Sequence, residues 1–243
     1  MNLKSYSFWY SFHYAHFWRD HVFRCILYDE TVEVSLYNYF KYKEIFNNLK
    51  IKVKISLLGN KKKWEKYMEK RGGPLLSKCQ KKASLYPLIK NKSIVNYEKY
   101  KICYITRGNN KRRSVNNESE LLKTLQKYNV TILDTSKIPP LTQMKIFANC
   151  KMVISLHGAA FANILYMPGN SYVFEIFPKT HYKQTYNNLA KICSLNHKSL
   201  FLETSIIKKS QKCIKFPRDC EITISKEDIE MIENELKKVI VNI

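Results

Sequence analysis

The chain has 243 residues, of which 45% are apolar and 13% aromatic, which excludes a disordered polypeptide and allows one large domain or two small ones. Its formal charge of +22 points to anionic partners, although the charge is almost all Lys, which protein surfaces tolerate anywhere. Seven scattered cysteines without a Cys-x-x-Cys pair exclude the common zinc-finger and dithiol frameworks and read as buried free thiols, with one bridge between Cys213 and Cys220 left open.

Residues 1–40 are aromatic-rich and read as helical. Their apolar run is broken by His13, His16, Arg19 and Asp20, too soon for a membrane span, and it lacks the pattern of a secretory signal. The chain therefore reads as soluble, with the cytoplasm favoured and the compartment open. His16 and Asp20 are four apart, so a helix brings them to one face. Such a pair suits acid–base chemistry, while a surface or capping contact is its commoner use. Residues 41–99 hold short apolar runs such as 51–58 between lysine clusters, a turn at Gly72-Gly73-Pro74 and a linker over 87–99.

From residue 100 the pattern becomes regular. A strand is expected over 101–106, then a helix with Asn117 as N-cap, Glu120 completing a capping box, and Leu121, Leu122, Leu125 and Tyr128 at helical spacing. A second strand follows at 130–133, then a helix over 141–150 introduced by Pro139-Pro140. A third strand at 152–156 leads into a short helix at 160–166, and a fourth strand is expected at 172–177. A helix over 182–193, a fifth strand at 199–202 and a closing helix capped by Ser225 complete the chain. This alternation calls for an α/β fold with a parallel sheet covered on both faces, whose ligands bind beyond the carboxyl ends of the strands.

Two strand ends carry candidate chemistry. Arg107 ends the first strand, and Lys111-Arg112-Arg113 follow in the same turn. A guanidinium there suits bidentate capture of a phosphate, against the plain alternative of a solvated basic loop. His157 ends the third strand before Gly158-Ala159-Ala160, and Asn163 lies one helical turn on. Small residues let a phosphate approach the main chain, and the helix start offers backbone N–H groups. The plain alternative is a histidine bonded to a neighbouring carbonyl. Glu175 sits between Phe174 and Ile176 inside the fourth strand, where a carboxylate must be paired. It could accept from ribose hydroxyls or tie a neighbouring loop.

These residues carry a resemblance. Ile105-Thr106-Arg107, Arg112-Arg113 and Asn117-Glu118-Ser119-Glu120-Leu121 resemble consecutive motifs of glycosyltransferase family 61. So do the helix from Gln143 to Phe147, the stretch from Val153 through His157-Gly158-Ala159 to Pro168-Gly169, and Val173-Phe174-Glu175-Ile176-Phe177-Pro178. Tyr14-Ala15-His16-Phe17-Trp18-Arg19-Asp20 is similar, more loosely, to an element of the family's first half. The chain departs from the family pattern at Ala160, Phe161-Ala162 and Thr142.

The resemblance implies a GT-B-like, inverting glycosyltransferase: a Rossmann-like C-terminal half with a parallel sheet, and a smaller N-terminal α/β half. In this reading 1–95 is a reduced acceptor-side domain, 96–224 binds the nucleotide-sugar, and 225–243 is a C-terminal helix. The donor is a UDP-sugar and the acceptor a glycan or glycoprotein, with no metal required and no specific nucleic acid expected. Donor-binding residues are Arg107, Arg113, His157, Gly158, Ala159, Asn163 and Glu175, with Asp20, paired with His16, as catalytic base. A catalytically inactive protein of the same fold and a basic nucleic-acid-binding protein stand as alternatives.

Overall fold

The computed structural model describes residues 17–18, 22, 31–56, 98–108, 114–178, 182–202 and 221–243. Its first regular unit is β1 (Val32–Ser35), α1 (Leu36–Asn48) and β2 (Val53–Ser56), with the two strands parallel. Ser35 ends the strand and caps the helix, its Oγ accepting from the backbone N–H of Asn38 at 3.2 Å. The expectation that 1–40 is helical therefore fails at 32–35. Val32 and Val34 alternate inward there, as a half-buried strand requires.

The second unit is a five-stranded, all-parallel sheet made of β3 (Ile102–Ile105), β4 (Thr131–Leu133), β5 (Met152–Leu156), β6 (Tyr172–Pro178) and β7 (Asn196–Leu202). Their spatial order is β4-β3-β5-β6-β7. The crossovers carry α2 (Glu118–Gln126), α3 (Pro140–Asn149), a 3₁₀ helix (Ala159–Tyr166) and α4 (Thr185–Ile192), and α5 (Lys226–Ile240) closes the chain. All five strands lie where the alternation puts them. β7 starts three residues earlier than expected, α4 starts later, and the helix after β5 has the tighter 3₁₀ form.

Successive residues of the central strands feed two cores. Cys103, Ile105, Val153 and Val173 face α3, the 3₁₀ helix and α4, and this core also takes in Val32, Val34, Tyr42 and Phe46 of the first unit. Ile102, Tyr104, Ile154, Leu156, Phe174 and Ile176 face α2 and α5. Burial on both faces explains why β3 and β5 read as unbroken apolar runs. The C-terminal helix thus belongs to the sheet, burying Ile229, Ile232 and Leu236 on it. Ser225 caps that helix in a full capping box with Asp228, and Lys237 and Lys238 complement its last turn.

Asn117 does not cap α2. Its side chain donates to the carbonyl of Ile224 at 2.7 Å and accepts from the backbone N–H of Ile224 at 2.9 Å. Val115 and Ile222 form a parallel bridge alongside. The asparagine staples the start of α2 to the segment that enters α5, and a long-range backbone partner outcompetes the local cap. Cys103, Cys150 and Cys193 are buried free thiols, and burial pushes Cys193 up to about 12. The remaining cysteines lie outside the described residues. No helix among the described residues is long and apolar enough to cross a membrane.

Candidate active site

The chain leaves β3 for the edge strand β4 and then crosses back to β5, on the other side of β3. The connections beyond the carboxyl ends of β3 and β5 therefore diverge and leave a crevice, the usual ligand position of a doubly wound sheet. Thr106, Arg107 and Gly108 border it on one side, and His157, Gly158 and Ala159 on the other. Ser155 joins the two strands there, its Oγ donating to the carbonyl of Ile105 at 2.8 Å.

Arg107 reaches across the crevice. A Cβ built on Gly158 would overlap Nη1 of Arg107 and lie 3.5 Å from its Cζ, so the guanidinium rests on the glycine backbone. Glu118, at the start of α2, organises the other side of the loop. Its carboxylate accepts from Tyr104 Oη at 2.8 Å, Thr106 Oγ1 at 2.6 Å and the backbone N–H of Arg107 at 3.1 Å. Burial lowers the pKa of Arg107, and electrostatic interaction with Tyr104 and Glu118 opposes that, around a group that stays cationic in proteins. Burial is also the first reason why the Tyr104 phenol lies well above its ordinary range, followed by Glu118. Tyr104 is a permanent donor.

His157 is held by a buried carboxylate shared with a second histidine. Nδ1 of His157 lies 2.5 Å from Glu175 Oε1, and Nε2 of His197 lies 2.8 Å from Glu175 Oε2. Glu175 has no exposed side-chain surface, and His197 is 3% exposed. The register pairs Glu175 with Ser155 and Ser199, and Val173 with His197, so one sheet face carries all three members. The contact with the carboxylate fixes the orientation of the His157 ring, with Nδ1 on Glu175 and Nε2 on the opposite side of the ring. The ring stacks on Phe177, with centroids 5.2 Å apart.

Of the two readings of Glu175, ribose ligand or structural tie, the observed contacts match the second: both of its oxygens are engaged by histidines inside the sheet, and the side chain is buried. Asn163 is likewise fully buried, with Nδ2 donating to Gln143 Oε1 at 3.0 Å. Gln143 in turn donates to the carbonyls of Thr135 and Ile138, at 2.8 and 2.7 Å. This pair ties the turn after β5 to the loop after β4. The first donor of the 3₁₀ helix is the N–H of Phe161, which bonds to the carbonyl of Gly158 at 3.1 Å, so the backbone N–H groups of Gly158, Ala159 and Ala160 have no acceptor within the helix. Ala162 is fully buried, and Ala160 packs on the core. Both departures from the family pattern are thus packing positions.

His16, Asp20 and Arg113 lie outside the described residues. Next to the first two, Phe17 and Trp18 are buried, and Trp18 meets Tyr166 edge-on at 6.0 Å, at the end of the 3₁₀ helix. Nothing in the local sequence marks His197, because only the strand register sets it beside Glu175. Glu118 was visible as part of a motif, but its three partners were not. Among the described residues, no group of three or more His, Cys, Asp or Glu side chains could hold a metal ion.

The family model for glycosyltransferase 61 matches residues 14–174. The chain belongs to glycosyltransferase family 61. The match takes in the loops at Arg107 and His157 and also the segment around His16 and Asp20, and it stops one residue before Glu175. The family 61 chain is also 30% identical over 105 residues to the EGF domain-specific O-linked N-acetylglucosamine transferase of Drosophila melanogaster. That alignment covers 42% of this chain and 20% of the relative, so the chain spans about a fifth of the relative's length.

Proposed function

We propose that this family 61 chain transfers a sugar from a nucleoside diphosphate, UDP in our reading, to a glycan or protein-linked acceptor, with inversion. One observation carries the reading. At the switch point of the sheet, the Arg107 guanidinium rests on Gly158 beside the carboxylate-bound His157. A cation, an oriented imidazole and helix-start amides around one crevice suit a diphosphate.

In the proposed reaction the acceptor hydroxyl attacks the anomeric carbon opposite the diphosphate. The bond from that carbon to the β-phosphate oxygen breaks, and its electron pair leaves with the phosphate. Arg107, Arg113 and the amides of Gly158 and Ala159 meet the developing charge, so the reading needs no metal. His157 contacts phosphate or ribose, while Glu175 and Asn163 position the turn. Asp20, paired with His16, takes the acceptor proton. A two-lobed GT-B arrangement, with the β1-α1-β2 unit on the acceptor side, fits this division of labour. The name of the Drosophila relative makes N-acetylglucosamine the first donor sugar to try.

Thermal unfolding with and without UDP tests the donor site. A hundredfold excess over Kd should stabilise the wild type by about 2.7 kcal/mol, and His157→Ala should lose most of that gain. A wild type that no nucleotide or nucleotide-sugar stabilises overturns the reading. Asp20→Asn should abolish transfer with donor binding intact, and unchanged transfer removes Asp20 from the mechanism.

A further inference from the structure

Asp134 follows Leu133 at the carboxyl end of β4 and has no part in the reaction above. Its Oδ1 closes a turn, accepting from the backbone N–H of Ser136 at 3.1 Å and from its Oγ at 2.6 Å. Its Oδ2 faces the crevice loop and would lie 3.5 Å from a Cβ on Gly108. Gly108 has φ +48, and its N–H donates to Thr106 Oγ1 at 3.0 Å. The other neighbour of Oδ2 is Lys137 Nζ at 3.1 Å, on a side chain that is 81% exposed and can swing aside.

The loop after β3 therefore has a guanidinium on its β5 side and a carboxylate on its β4 side. A nucleoside diphosphate has matching polarity: an anionic end and, beyond it, a neutral vicinal diol. The phosphates cannot lie against Asp134 without repulsion. A diol can, since two O–H donors meet a group that only accepts. The strand ends of β4 and β5 are two strand spacings apart, roughly 10 Å, which a ribose and two phosphates can bridge. In dinucleotide-binding sheets, a carboxylate beyond the strand next to the phosphate loop holds the ribose hydroxyls. Glu175 cannot do so here, because both its oxygens are buried against histidines.

We propose that Asp134 binds the ribose hydroxyls of the donor and makes the site select ribonucleotides over 2′-deoxyribonucleotides. The proposal rests on the donor reading above, and the experiment separates the two. The affinities of the full chain for UDP and 2′-deoxy-UDP are measured by calorimetry for wild type, Asp134→Asn and Ser136→Ala. The wild type should prefer UDP by about tenfold or more, the worth of one hydrogen bond to a charged acceptor. Asp134→Asn, whose Oδ1 can still close the turn, should reduce that preference to about threefold or less. Ser136→Ala disturbs the turn but not Oδ2 and should keep the preference. A wild type that binds both ligands equally, or an Asp134→Asn protein with the full preference, overturns the proposal and leaves the donor reading standing. A wild type that binds neither ligand overturns both.

Discussion

Gly158 makes the room that Arg107 occupies. The backbone at Gly158 has φ −177, extended and open to any residue, so the glycine is needed for space and not for conformation. The cation of the crevice and the smallest residue of the turn are two halves of one contact, 51 positions apart in the sequence.

Gly158→Ala is expected to push the guanidinium aside and leave the strands in place, because the clashing atom is the far end of a flexible side chain. The cost in stability should be about 1–2 kcal/mol. The loss in donor affinity should be larger, tenfold or more, and similar to that of Arg107→Ala. Calorimetric titration with UDP and urea unfolding of both variants check this. A Gly158→Ala protein with wild-type affinity would mean that Arg107 takes no part in binding.

Glu175→Gln should be more damaging to stability than its shape suggests. The neutral amide replaces a carboxylate contacted by two imidazoles, and its nitrogen can bond only to a ring nitrogen that carries no proton. Losing the hydrogen bonds to a charged acceptor should cost about 1.5–3 kcal/mol, read from urea midpoints. His197→Ala should cost about 2 kcal/mol and weaken UDP binding several-fold, since the carboxylate that holds His157 loses one of its two anchors. Unchanged affinity in folded His197→Ala would assign His197 to the core alone.

Asn117→Asp separates a staple from a cap. Aspartate is as good an N-cap as asparagine, so a capping role predicts little change. The staple predicts a loss of about 1–3 kcal/mol, because a carboxylate cannot donate to the carbonyl of Ile224 and would instead oppose it. Ser225→Ala, at a true cap, should cost about 1 kcal/mol by thermal or chemical unfolding.

Alkaline pH should destabilise the protein through Tyr104. Its folded pKa lies well above the unfolded value near 10, chiefly through burial. The stabilising contribution is therefore fully present below pH 10 and is lost as the pH rises from there towards the folded pKa. The slope is about 1.4 kcal/mol per pH unit for one such group. Urea unfolding of wild type and Tyr104→Phe between pH 8 and 11 should show the variant less stable at pH 8, where it lacks the bond to Glu118. The gap should narrow above pH 10. A gap independent of pH would show that Tyr104 does not titrate differently on unfolding.

Much of the fold is written locally. Ile102 to Ile105 and Met152 to Leu156 are unbroken apolar runs because both faces of the central strands are covered, and Ser225 with Asp228 announces the last helix. The same local logic marks Arg107 and His157 as strand-end residues, since the position where a buried run meets polar residues is itself a sequence feature. It failed for Val32 to Ser35, a strand too short to outweigh the aromatic residues around it.

The amino-acid sequence by itself determined the alternation of strands and helices, the family and the strand-end places of Arg107 and His157. Only the tertiary structure decided what the side chains do there. The strand order β4-β3-β5 puts Gly158 under Arg107 and Gly108 beside Asp134, and the β6–β7 register puts His197 against Glu175. That register sets the buried Glu175 between His157 and His197. These pairings join residues that are remote in sequence, and their energies come from desolvation and hydrogen-bond geometry. Neither exists until the sheet has formed.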